Sequence, residues 1–178
     1  AVSTHLERLE PEYARLFPLR EPVPRPVTVY LLSEAAFARV APSGRPARAF
    51  YQRDEQAVFA AGSKAPEAER LVAHEAFHAH LHRLLEEAPA WLAEGCAEHF
   101  ASMRLEGRSL VARAHPLRLR DLKLLLETGR DLDLRDLVER TRSELYDEDG
   151  IFLRFASAWA LVHFLRSKES GEDGARLL

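Results

Sequence analysis

The chain has 178 residues and a net charge of −3, from 25 Lys+Arg against 28 Asp+Glu. Such a balance argues against a nucleic-acid binder that works through bulk positive charge, and 47% apolar with 30% charged residues is a globular composition. The single cysteine, Cys96, excludes an internal disulfide framework and any metal site built of cysteine alone. The length suits one domain, 1–178, with residues 1–24 as an N-terminal helix and proline-rich linker.

Taken in chain order, Leu6, Leu9, Tyr13, Leu16 and Phe17 recur at helical spacing and predict a helix from Thr4 to Phe17. Three prolines in Glu21 to Pro26 interrupt regular structure. Val27 to Leu32 is β-branched and aromatic, which predicts a strand buried on both faces. Ser33 is placed to cap a short helix through Val40, followed by a loop over Pro42 to Pro46. Ala47–Tyr51 and Gln56–Ala61 predict a hairpin turning at Asp54 and Glu55.

After Gly62 the pattern turns helical. Helices are expected over Glu67–Leu85, from Pro89 to about Met103, over Leu117–Leu126 and Leu134–Val138, and from Tyr146 to Ser167, with Gly107 and Gly171 as stops. Strands before helices predict an α+β fold. The longest apolar run, Phe155 to Leu165, is 11 residues, against roughly 20 for a membrane span. The chain starts with Ala rather than Met and carries no signal-peptide pattern. Processing or trimming is the expectation, with an extracytoplasmic location, periplasmic or secreted.

The chemistry is concentrated in His74-Glu75-Ala76-Phe77-His78, an H-E-x-x-H pattern on a predicted helix. A chain of this His and Glu content meets that pattern by chance about 0.04 times. Histidines four apart share a helix face, about 6 Å apart along the axis, so both imidazoles reach one zinc. Glu75 lies about 100° round the helix, able to approach a zinc-bound water without being a ligand. Leu71, Val72, Ala73, Ala76, Phe77, Ala79 and Leu81 surround the motif, and buried polar groups in such a setting need partners or a metal. Downstream, Glu94 and Glu98 share one face of an apolar helix, where either can reach a cation. The short Leu85–Pro89 connection lets that helix fold back, and His74, His78 and Glu94 then form the His₂Glu set of a catalytic zinc.

HEAFH followed by WLAEG resembles the gluzincin metallopeptidases, most closely the uncharacterised bacterial peptidase-MA-like domains. The R-P-V-T-V-Y-L strand, the P-A-W-L-A-E-G-C-A-E helix and the late A-W-A-L-V-H-F-L helix occur in the same order, so the likeness runs from about Arg25 to Leu165. It implies a zincin-like fold, a small sheet packed on the H-E-x-x-H helix with further C-terminal helices. It implies one zinc held by His74, His78 and Glu94, with Glu75 as general base. Glu98 falls where relatives orient the first histidine, which makes it the candidate to hold the His74 ring in place. Phe155 takes the place of a tyrosine that relatives use for the oxyanion, and Tyr146, just upstream, is the substitute. Fifteen residues separate His78 from Glu94, a shorter connection than in thermolysin-like enzymes, and no G-x-M-E-N exopeptidase motif is present.

The expected function is zinc-dependent hydrolysis of peptide bonds by a metal-activated water, with a peptide or protein as substrate. The alternatives are a non-catalytic binding module on a zincin fold and a hydrolase of a non-peptide amide. The sequence does not fix the oligomeric state. Of the remaining residues, His80 is expected to be solvated and His82 to lie at the surface or behind the ligands. His99 and His163 are expected to be structural and Cys96 a small buried residue. Arg108, Arg113, Arg118, Arg120 and Lys123 read as a solvated basic face.

Overall fold

The computed structural model describes residues 2–19, 26–42, 47–62, 65–107, 109–129, 133–147 and 149–167. Most of the Glu21–Pro26 interruption, the loop before Ala47, Arg108 and Gly171 lie outside them. Among the described residues eight helices and two small sheets make an α+β fold. No described helix is long and apolar enough to cross a membrane. Two compact units are formed, one by Ala1–Glu86 with Leu105–Val111, the other by Glu87–Arg104 with Ala112–Leu178.

The first unit is built on a three-stranded mixed sheet. Its strands are β1 (Thr28–Leu32), β2 (Ala49–Gln52) and β3 (Ala57–Ala61), in the order β1-β3-β2. β2 and β3 form the expected antiparallel hairpin, with Tyr51 opposite Val58, and β1 runs parallel to β3, with Tyr30 opposite Phe59. β1 is not buried on both faces as its composition suggested. It is an edge strand, and Tyr30 and Leu31 are exposed. An all-apolar strand signals burial only when both neighbours exist. Ser33 caps α2 (Glu34–Val40), its hydroxyl accepting from the Ala36 N–H at 3.3 Å.

Helix α1 (Val2–Leu16) buries His5, Leu9 and Tyr13 at i, i+4 and i+8. Leu9 and Tyr13 belong to the predicted stripe, whose Leu6 and Leu16 are only half-buried, and His5 was not part of it. α3 (Ala65–Leu84) carries H-E-x-x-H. Its Val72 packs with Ala49, Val58 and Ala60 of the sheet. Its Phe77 meets Tyr13 and Phe17 edge-on at 5.5 Å. The Tyr13 hydroxyl donates to the Ala73 carbonyl at 3.0 Å. α3 is therefore held by residues just before the motif and by Phe77 within it.

The second unit is helical. It holds α4 (Ala90–Ser102), α5 (Pro116–Glu127), α6 (Leu134–Glu139), α7 (Arg142–Leu145) and α8 (Ile151–Leu165). Ala90, Leu137, Leu145 and Ala158 form one of its core clusters. The predicted helix from Tyr146 is shorter than expected. Tyr146 ends α7, and Gly150, at φ +88°, precedes α8 in a left-handed conformation that favours glycine. A two-stranded sheet, β4 (Met103–Glu106) with β5 (Ser109–Ala112), was not read from the sequence.

The glycine of WLAEG has a packing reason. A Cβ on Gly95 would lie 2.5 Å from the Ala158 carbonyl oxygen and 2.8 Å from Val162 Cγ2. The obstacle is mainly α8 backbone, which cannot rotate away. Alanine in a helix interior is normally better than glycine by roughly 0.5–1 kcal/mol. Here the clash reverses the sign: Gly95→Ala should lower stability by about 1–3 kcal/mol, measured by denaturant unfolding. A variant as stable as wild type would contradict this close approach of α4 and α8.

Candidate metal centre

Helical spacing stacks His74 and His78 one turn apart, both half-buried. Their rings lie 4.8 Å apart between centroids, and their Nε2 atoms converge to 3.1 Å. Two ligands at 2.0–2.1 Å from a tetrahedral zinc would be about 3.3 Å apart, so the pair is already near chelating geometry. Glu94 is 1% exposed on α4. His74, His78 and Glu94 each offer one ligand atom, and these lie within 4.8 Å of one another. A buried carboxylate with two convergent imidazoles is a donor set suited to a divalent cation, and this group can hold a metal ion. Glu75 is half-buried on α3 beside the histidine pair.

The residues around Glu94 and Glu98 were largely invisible to sequence reasoning. The Tyr146 hydroxyl donates to Glu94 Oε1. Glu98, 2% exposed, accepts from Arg118 Nη2 at 2.6 Å and lies 3.2 Å from His115 Nε2. His115 caps α5, its Nδ1 accepting from the Arg118 backbone N–H at 3.3 Å. In the neutral ring the proton then sits on Nε2. Arg118 also faces Asp121 at 3.7 Å and lies 5.3 Å above the Phe155 ring. Arg118 is thus not part of a solvated basic face; it is the principal countercharge of a buried acid. The signal available in sequence was Glu98 itself, since a buried carboxylate requires a partner.

His80 is buried rather than solvated, and its Nε2 donates to the Phe17 carbonyl at 2.8 Å. Burial lowers its pKa. His82 is half-buried against the Tyr51 ring. His99 packs on Phe100 and His163, and burial pushes its pKa down to about 3, so it stays neutral. Burial pushes the Cys96 thiol up to about 12, as expected of an inert buried cysteine.

The chain is thus an α+β protein whose His74, His78 and Glu94 could hold a metal ion. Residues 70–175, more than half of the chain, match a family model described as a protein of unknown function (DUF1570), and the chain belongs to that family. No curated protein and no solved structure matches it.

Proposed function

We propose that the chain is a zinc-dependent peptidase of the zincin type, in which Glu75 is the catalytic base. The observation that carries this reading is the His74–His78–Glu94 group, together with the likeness of HEAFH and WLAEG to gluzincin motifs. Zinc held there would polarise a substrate carbonyl and lower the pKa of a water to about 7. The chain's own contribution is a proton path. Glu75 takes a proton from the attacking water and delivers it to the leaving nitrogen. A purely structural metal has no use for such a base, which favours this reading over a binding module.

The test is hydrolysis of a mixed peptide library by the purified chain. Cleavage should stop with a zinc chelator and return when zinc is restored. Cleavage that survives the chelator would contradict metal dependence. Hydrolysis confined to non-peptide amides would move the substrate class, and no hydrolysis by the zinc-loaded chain would favour the binding module.

A further inference from the structure

A phenol hydroxyl has one proton to donate, and that of Tyr146 goes to Oε1 of Glu94. Several groups set the ring that carries it. Tyr146 closes α7. Its ring stands at 90° to Phe155 of α8, with centroids 5.5 Å apart, and the Arg142 guanidinium lies 5.7 Å over its face. Phe155 is in turn covered by Arg118, which Glu98 anchors. Tyr146 and Phe155 both pack on the Ala90–Leu137–Leu145–Ala158 cluster. The phenol is therefore held by a bracket of packed rings and cations, and it points at a carboxylate of the metal group.

We infer that Tyr146 is a positioning residue for Glu94: its hydrogen bond holds the carboxylate in the orientation that serves the metal. This rests on the metal reading given above. It differs from an oxyanion role in what it affects. A group that only stabilises an oxyanion matters once substrate reacts, whereas a positioning group changes metal binding with no substrate present. Phe155 takes part by fixing the Tyr146 ring rather than by supplying a hydroxyl.

Tyr146→Phe keeps the ring and its contacts with Phe155 and Arg142 and deletes only the hydroxyl oxygen. Zinc affinity, measured by chelator competition without substrate, should fall about 10–100-fold, the usual effect of losing a partner of a metal ligand. The visible spectrum of the cobalt-loaded protein should change as Glu94 relaxes. Zinc binding equal to wild type, with an unchanged cobalt spectrum, would overturn the inference and leave the metal reading intact. A wild-type chain that takes up no zinc would defeat both. The bond itself is tested in metal-free protein by thermal unfolding of Tyr146→Phe, Glu94→Gln and the double variant. Non-additive shifts in Tm are expected, and additive shifts would overturn the inference whatever the metal does.

Discussion

Glu75→Gln should keep its metal and lose about 10²–10⁴-fold or more in turnover of any peptide that the wild type cleaves. Glutamine has nearly the same size and retains a polar end, so the half-buried site on α3 should accept it. What it lacks is the capacity to take a proton. Glu75 is not among the three residues whose ligand atoms converge, so metal content should stay at the wild-type level. Loss of metal would make Glu75 a ligand. Full turnover would place the base elsewhere.

Glu94 and Glu98 are one helical turn apart and nearly equally buried, yet their removal should have opposite signatures. Glu94→Ala deletes a member of the metal group. Its zinc affinity should fall by more than the 10–100-fold typical of groups that merely support a ligand. Glu98→Ala leaves the Arg118 guanidinium, 12% exposed, without its 2.6 Å partner. Breaking a buried pair costs about 3–5 kcal/mol, and the lower end applies here because Asp121 still faces Arg118 at 3.7 Å. The expected result is a crossing: Glu94→Ala binds zinc worse, and Glu98→Ala unfolds more easily. Chelator titration and denaturant unfolding of both variants measure it. The reverse order in zinc affinity would make Glu98 the ligand.

The legible parts of this molecule are those fixed by local spacing. The His74–His78 pair needs only a helix, and the apolar residues around it already announce that helix. Glu94 was readable because an acid within Trp91–Ala97 has to find a cation. The Ser33 cap and the β2–β3 hairpin follow from a few adjacent residues. The rest depended on contacts distant in sequence. Nothing near Glu98 names Arg118 or His115, which lie 20 and 17 positions away, and nothing near Glu94 names Tyr146, 52 positions away. His80 reads as polar and exposed until the Phe17 carbonyl meets it. β1 reads as doubly buried because an apolar edge strand and a central one have the same composition. The break before α8 turns on the positive φ of Gly150, and the apolar pattern ran through it. β4 and β5, four residues each, are too short for alternation to register.

His74, His78 and Glu94 form a group that can hold one metal ion. Elemental analysis of the purified chain, reconstituted with zinc and freed of excess, tests it most directly. One tightly bound zinc per chain in the wild type, lost when His74 or His78 is replaced by alanine, is the predicted result. A wild-type chain that retains no metal after reconstitution would contradict a metal site at these residues.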